Sequence, residues 1–222
     1  MPRRDCLSPS DYQLINAAHK AGIAGDTSGM IFALGKADSM SVSPDGNSAY
    51  ASYDSGLSGV FHAGRGLVEW FGTDSIYDAR WSPDNRCIVL EIVYGPRNVY
   101  DMQKERAIFT GFYEYRYHSF REEFTPGFYL YTAPGDELKG VAGDKPYEIY
   151  YQPQLWAVNL DSGDDYLLLE GKEGTLQKHG GAWSMEAELK AKDVPDAIKA
   201  SEMWQQYDGG FMVCPMLPDQ GG

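Results

Sequence analysis

Two short phrases of the same type, Ser43-Pro44-Asp45-Gly46 and Ser82-Pro83-Asp84-Asn85, stand 39 residues apart, and each precedes a run of strand-forming residues. Proline fixes φ at the first corner of a turn, and aspartate followed by glycine or asparagine supports a tight turn with positive φ. Each phrase therefore predicts a hairpin turn. The spacing of the phrases predicts that one β-rich unit is repeated along the chain.

Each repeat contains four short runs with the alternation or apolar character of strands, separated by turn residues. The runs are 39–43, 48–53, 60–62 and 67–71 in the first unit, and 77–81, 87–94, 98–102 and 106–110 in the second. The abundance of aromatic residues, 14% of the chain with sixteen tyrosines, also favours a β-rich fold.

Val42-Ser43-Pro44-Asp45-Gly46 and the segment 79–85, each ahead of a hydrophobic strand, resemble blades of the TolB-like and WD-repeat β-propeller families. The resemblance covers about residues 38–110, and residues 154–170 are similar to the outer hairpin of a third unit. It implies an all-β fold, a propeller-like or incomplete propeller of four-stranded antiparallel units. Helix signals in the sequence add short helices at the N- and C-terminal ends. A twisted β-sheet domain built from related hairpins is the alternative, because only two blades and part of a third are recognisable.

The pattern divides the chain into five segments. We expect an N-terminal helix and a lead-in strand in 1–37, two repeat units in 38–110, a tyrosine-rich hairpin insertion in 111–153, a partial third unit in 154–182, and C-terminal helices with a tail in 183–222. The first helix is predicted over 8–20, with Ser8 as its cap and Gly22 as its stop, and the lead-in strand over 30–35. Residues 135–146 are predicted as a loop, 185–192 and 195–207 as helices, and 211–214 as a strand that completes the first blade.

The segment 112–120 alternates strictly, so that three tyrosines share one strand face. A turn at Thr125-Pro126-Gly127 then predicts a returning strand rich in aromatic residues. Such a face packs on a core or forms a contact surface, because tyrosine brings a large, rigid and amphipathic area to interfaces. The candidate interaction surface comprises Tyr113, Tyr115, Tyr117, Phe128, Tyr129 and Tyr131.

The chain carries 19 basic and 32 acidic residues, a net charge of −13. So negative a surface repels phosphate groups, which argues against nucleic acid and anionic membrane as partners. The charge either maintains solubility or provides a face for a basic protein. Cys6, Cys87 and Cys214 form no CxxC pair, so we expect neither a disulfide framework nor a zinc site. No signal peptide and no apolar stretch of membrane-spanning length is recognisable, which makes the cytoplasm the expected compartment.

The sequence contains no Gly-x-Ser-x-Gly elbow, no phosphate-binding Gly-x-x-x-x-Gly-Lys and no His-Glu-x-x-His. The four histidines are scattered without ligand spacing. We therefore expect no catalytic residues, no metal and no cofactor. The favoured function is that of a non-catalytic protein-interaction or assembly module, a subunit of a larger complex. A subunit of a virion and an acidic toxin-neutralising protein are two special cases of this function. The alternatives are a glycan-binding protein or glycoside hydrolase that uses tyrosines and carboxylates, and a module that binds a small ligand at a propeller mouth.

Overall fold

The computed structural model is mostly β-sheet and divides into two compact units, Met1–Tyr113 and Glu114–Gly222. We describe each unit by itself. The residues that the structure describes are 8–53, 58–71, 76–92, 97–111, 121–141, 148–179, 181–214 and 216–218. The predicted fold class is confirmed: all-β and propeller-like, built from four-stranded antiparallel sheets with a few short helices.

Unit 1 begins with two helices, α1 (Pro9–Ile23) and α2 (Thr27–Leu34). Ser8 caps α1, as predicted, because its side-chain oxygen accepts a hydrogen bond from the Asp11 N–H. The predicted lead-in strand over 30–35 is wrong, because this segment belongs to α2. Asp26 caps α2 by accepting the Gly29 N–H at 2.9 Å, and so starts a helix at an apolar run whose length alone does not separate helix from strand.

Two four-stranded antiparallel sheets follow, each with its strands in sequence order. We call them blade 1 and blade 2. They span 39–111, the part of the chain for which two repeat units are predicted. Blade 1 consists of β1 (Ser39–Val42), β2 (Ser48–Ser52), β3 (Ser58–His62) and β4 (Gly66–Phe71). Blade 2 consists of β5 (Ile76–Trp81), β6 (Cys87–Ile92), β7 (Arg97–Asp101) and β8 (Arg106–Gly111).

The turn between the first two strands of each blade has the same hydrogen bonds. In blade 1 the Ser43 hydroxyl donates to Asp45 at 2.6 Å and accepts the Ser48 N–H at 2.9 Å. In blade 2 the Ser82 hydroxyl donates to Asp84 at 2.6 Å, and it accepts a strand N–H, that of Cys87, at 2.8 Å. The residue after the aspartate has positive φ in both turns, 75° at Gly46 and 61° at Asn85. The repeated phrase therefore encodes the turn itself.

Unit 1 has three layers: the helix pair, blade 1 and blade 2. The helices pack on one face of blade 1, around Ile15, Met30, Leu34 and Phe61. Gly22 and Gly66 allow close contact there, because a Cβ on Gly22 would lie 2.7 Å from the Gly66 Cα. Because α1 continues to Ile23, Gly22 lies inside the helix, and the prediction that it ends the helix is wrong. The other face of blade 1 packs on blade 2 through a second cluster: Tyr50, Val60, Ala79, Ile88, Leu90, Tyr100 and Met102.

The described elements of unit 2 are β9 (Glu122–Thr125), β10 (Phe128–Glu137), β11 (Glu148–Asn159), β12 (Asp165–Gly171), β13 (Gln177–His179), β14 (Ala182–Leu189), α3 (Asp196–Lys199), α4 (Glu202–Asp208), β15 (Phe211–Val213) and β16 (Met216–Pro218). The strands form an eight-stranded sheet with the path β13-β14-β12-β11-β10-β9, in which β15 pairs with β14 and β16 with β11. Helices α3 and α4 pack on it around Leu130, Leu155, Trp204 and Tyr207.

Several expectations for unit 2 are wrong. The segment predicted as a helix over 185–192 begins in β14, which pairs with β12, β13 and β15. The predicted loop over 135–146 starts inside β10, where Glu137 pairs with Tyr151. The segment 211–214 pairs with β14 and does not complete the first blade.

Two other predicted elements are present in a different form. The predicted hairpin of a third unit exists as β11–β12, but it belongs to the eight-stranded sheet. The helix over 195–207 is divided into α3 and α4, where Ser201 caps α4.

Candidate functional site

The helix pair presents apolar side chains on its outer surface. Phe32 on α2 is 73% exposed and Ile23 at the end of α1 is 58% exposed. The Lys36 ammonium lies 5.4 Å from the centre of the Phe32 ring. We call these three residues the cap surface.

The exposure of Phe32 follows from the composition of α2. Five consecutive residues, Met30 to Leu34, are apolar, so the helix is apolar on nearly all sides. Met30, Ala33 and Leu34 are buried against blade 1, and Phe32 is left outside. A helix that is apolar all round is characteristic of a buried position. The outer side of α2 is therefore suited to a further contact.

A polar pocket of about 260 Å³ lies between the two blades. It is lined by Ser39, Met40 and Ser41 of β1, Tyr50 of β2, and Asp78 and Ala79 of β5. Because Ser41 pairs with Tyr50, their side chains are on the same face of blade 1. The Trp81 indole N–H donates to the Ser41 carbonyl at 3.2 Å and so links the two blades beside the pocket.

The Tyr50 side chain is 2% exposed, and within the described chain its hydroxyl has no hydrogen-bond partner. The same holds for the buried Ser58 hydroxyl. Burial raises the pKa of Tyr50, and the nearby Ser58 and Ser52 hydroxyls lower it in part. Although these hydroxyls act on the pKa, neither has the geometry of a hydrogen bond to Tyr50. Unsatisfied polar atoms at such depth are uncommon and costly.

The predicted tyrosine surface is only partly within the described residues. Tyr113, Tyr115 and Tyr117 lie outside them. Phe128 packs against the cluster that includes α3 and α4. Tyr129 and Tyr131 alternate with the core residue Leu130, which places them on the opposite face of β10 from it.

Tyr129 and Tyr131 are buried in an aromatic row. Their rings stack with a centroid distance of 5.9 Å, and Tyr131 stacks on Trp156 at 6.5 Å. The Tyr129 hydroxyl donates to Glu122, and the Tyr131 hydroxyl donates to Asp165 at 3.4 Å. Burial, followed by the Asp165 charge, raises the pKa of Tyr131. The structure thus places these side chains in a packed row, while the prediction of a contact surface remains a prediction.

His19, Cys87 and Cys214 have surroundings that explain them structurally. His19 on α1 accepts the Leu67 N–H of β4 through Nδ1 at 3.0 Å, which satisfies a donor on the edge strand of blade 1. Burial raises the pKa of Cys87 and of Cys214 to about 12, so both thiols stay protonated at neutral pH. Among the residues that the structure describes, no group of three or more His, Cys, Asp and Glu side chains could hold a metal ion.

A larger pocket in unit 2, of about 660 Å³, is lined by polar and apolar side chains, including Asp136, Glu173, Leu176 and Met185.

The sequence analysis identified neither the cap surface nor either of the two pockets. The face shared by Ser39, Ser41 and Tyr50 could have been found from strand alternation. The helical state of α2, and with it the cap surface, could have been found from Asp26 as a cap.

No protein-family model and no curated protein sequence matches the chain. Among solved structures, Kluyveromyces lactis Hsv2 is similar, with 16% identity and a TM-score of 0.32 over 58% of this chain and 45% of the other. The computationally designed Ika4 protein has 11% identity and a TM-score of 0.36 over 69% of this chain and 87% of the other. The β-propeller domain of Myceliophteria thermophila Cps50 (Swd1) has 9% identity and a TM-score of 0.31 over 70% and 68%.

This chain spans less than half the length of the Hsv2 chains that it matches. The similarity to propellers is partial, as the resemblance in the sequence is. Within the described ranges, every helix is too short or too polar to traverse a lipid bilayer.

Proposed function

We propose that the protein is a non-catalytic interaction module, a subunit of a larger complex, and that the cap surface is its contact with a protein partner. The observation that carries the proposal is the 73% exposure of Phe32 on a helix that is apolar on nearly all sides. A partner that covered Phe32 and Ile23 would remove from water two large apolar side chains. Each contributes about 1.5–3 kcal/mol when it is fully buried.

The position of the helices supports this function. In a closed propeller the face of each blade packs on neighbouring blades, whereas α1 and α2 occupy one face of blade 1. They therefore terminate the stack of blades on that side, as terminal capping elements do in repeat proteins. A cap of this kind usually has a polar outer face. The apolar outer face of this one is a reason to expect a contact there.

The charge of the chain favours a different protein over a second copy. Two copies, each with a net charge of −13, repel each other over distances up to about 10 Å at moderate ionic strength. A partner with a basic surface is instead attracted, and its association is faster at low salt. We therefore propose that the partner at the cap surface is a protein of net basic charge, which the acidic chain as a whole attracts. The predicted tyrosine surface is the second candidate for a contact in the same assembly.

A photo-crosslinking amino acid at position 32, introduced in the native cell, tests the proposal. We expect one basic protein to be crosslinked from position 32 and not from position 189, where Leu189 is 55% exposed in unit 2. Without the crosslinking amino acid, this protein should no longer co-purify with the Phe32→Ser variant and should still co-purify with the Leu189→Ser variant. A crosslink to a second copy of the chain, or equal crosslinking from both positions, would contradict the proposal.

A further inference from the structure

β1 is an edge strand of blade 1, and among the residues that the structure describes it pairs with β2 alone. We propose that an extended segment of the basic partner protein adds a strand to this edge, beside Met40 and Val42. The identity of the partner rests on the proposed function. The geometry rests on the register of β1, on two exposed apolar side chains and on the equivalent positions of blade 2.

The register of the first hairpin shows which backbone groups of β1 point away from β2. Ser43 donates its N–H to the Ser48 carbonyl at 2.9 Å, in the same register as the pairs of β1 with β2. Hydrogen-bonded and non-hydrogen-bonded pairs alternate along an antiparallel ladder. Ser41 therefore bonds to β2, whereas Met40 and Val42 direct their N–H and C=O groups to the other side. Such groups are the template on which a further strand pairs.

The two residues that provide this template also present exposed apolar side chains. Met40 and Val42 are each 38% exposed. They pair with Ala51 and Ala49, which are fully buried in the core that the helices cover, so all four side chains lie on that face of blade 1. The helix pair thus covers β2 and leaves the adjacent β1 partly open to solvent.

The equivalent positions of blade 2 are used for a contact with a neighbour. Ala79 and Trp81 lie 39 residues after Met40 and Val42. Both pack against the cluster between the blades, and the Trp81 indole N–H donates to the Ser41 carbonyl at 3.2 Å. Blade 1 covers these positions in blade 2, but the helix pair, which takes the place of a preceding blade, does not cover them in blade 1. The repeated architecture therefore favours a contact at β1.

The two edges of blade 1 differ in their protection. On the β4 edge, His19 of α1 accepts the Leu67 N–H at 3.0 Å. Unpaired edges are usually protected by lysine, proline, an inward-pointing charge or short length. β1 has the sequence Ser-Met-Ser-Val and is protected by its short length alone. Two outward-facing residues make a short pairing, so its affinity depends on simultaneous contact at the cap surface, which raises the effective concentration of the added segment.

Continuity with the cap surface and charge both favour a segment of the basic partner. Lys36 of the cap surface stands three residues before Ser39, where β1 begins, so one partner reaches both places. Asp38 and Asp45 flank the strand in a chain of net charge −13. A segment in which apolar and basic residues alternate would place its apolar side chains next to those of β1 and its charges in a favourable field.

Amide hydrogen exchange, followed by NMR on the full chain, tests the pairing. The probe is the peptide acetyl-Lys-Val-Lys-Val-Lys-Val-Lys-amide at millimolar concentration. The control peptide has proline in place of the central valine, which keeps the charge and removes a ladder donor. In the free chain we expect rapid exchange at Met40 and Val42 and slow exchange at Ser41. A saturating concentration of the probe should slow exchange at Met40 and Val42 by about tenfold, and the control peptide should not.

The test variant is Met40→Pro. Because the N–H of residue 40 points away from β2, proline is compatible with the existing ladder but prevents pairing on the free side. Met40→Ala keeps this N–H and is the matched control. We expect the probe to protect the Val42 amide in Met40→Ala and not in Met40→Pro, with thermal denaturation to verify that both variants are folded. The wild-type comparison of the two peptides decides the question even if Met40→Pro does not fold.

Slow exchange at Met40 and Val42 in the free chain would overturn the pairing, and so would equal effects of the two peptides or protection in folded Met40→Pro. In the native cell, a photo-crosslinking amino acid at position 40 should capture the same basic protein as one at position 32. Capture from position 32 alone, or of a second copy from position 40, would overturn the pairing and leave the contact at the cap surface in place. Probe-dependent protection without capture from position 32 would support the pairing edge and contradict the proposed function.

Discussion

Blade 1 and blade 2 have the same turns, but their buried polar groups are treated differently. Four buried polar atoms of the blade 1 segment lack a partner among the described residues: Tyr50 Oη, Tyr53 Oη, Ser58 Oγ and His62 Nδ1. In blade 2, by contrast, the fully buried Asp101 accepts hydrogen bonds from the Arg86 guanidinium and from two backbone N–H groups. The two blades thus share their strand order and turns but not their buried polar groups, and the fold does not require the unsatisfied groups of blade 1.

The strongest contrast is between His62 in blade 1 and Asp101 in blade 2. These residues are 39 apart and so occupy equivalent positions of the repeat. Asp101→Ala would remove the buried carboxylate that accepts hydrogen bonds from the Arg86 guanidinium and from the Gln103 and Lys104 N–H groups. We expect a loss of about 3 kcal/mol in the free energy of unfolding, measured by urea denaturation.

The matched variant at the equivalent position, His62→Ala, removes a side chain that is only partly buried and leaves no charge unpaired. Its expected cost is about 1 kcal/mol or less. Similar losses in the two variants would show that the polar network of blade 2 does not stabilise it more than the corresponding positions of blade 1.

Substitutions of the turn serines test whether the turn that the two blades share contributes equally to the free energy of unfolding in each blade. Ser43→Ala and Ser82→Ala each leave a strand N–H without its side-chain acceptor and remove a bond to the turn aspartate. We expect each to lower the free energy of unfolding by about 1–2 kcal/mol, with closely similar values. A difference above about 1 kcal/mol would mean that the same bonds have different strengths in the two blades.

Removing an unpartnered hydroxyl of blade 1 should not lower the free energy of unfolding, in contrast to the turn-serine variants. Tyr53→Phe removes the buried hydroxyl and retains the ring that packs against the helices. Because the hydroxyl loses its water on folding and gains no partner, we expect thermal denaturation to show unchanged or higher stability, by up to about 1 kcal/mol. A clear loss of stability would instead indicate that the hydroxyl is bonded, and would weaken the contrast between the blades.

The sequence predicted the two blades because their information is local. Ser-Pro-Asp followed by glycine or asparagine specifies the turn, and alternation specifies the adjacent strands. Prediction failed where pairing is non-local. Met185 to Leu189 consists of helix-favouring residues, but it lies in β14 because strands distant in sequence pair with it on both sides.

The candidate sites were predictable only in part, for a similar reason. Alternation places Ser39, Ser41 and Tyr50 on one face of a sheet, but the pocket exists only where this face meets β5. Periodicity cannot show whether a hydroxyl will find a partner. The cap surface was missed because a short apolar run is compatible with a strand, and the Asp26 cap that determines the helix was not used.

The smallest expected effect is a pH dependence that belongs to blade 1. Burial, followed by the positive charge of Arg65, lowers the pKa of His62 below its ordinary value of 6.5. A lowered pKa means that the unfolded chain binds the proton more readily than the folded one, so stability falls as the pH decreases from about 6.5 towards the folded-state pKa. Because the side chain is only partly buried, we expect a contribution below about 1 kcal/mol. His62→Gln should remove this component from the difference in unfolding free energy between pH 7 and pH 5, and Asp101→Asn should leave it in place. If the dependence persisted unchanged in His62→Gln, the acid-sensitive group would lie elsewhere, and the unpartnered His62 nitrogen would have no energetic consequence.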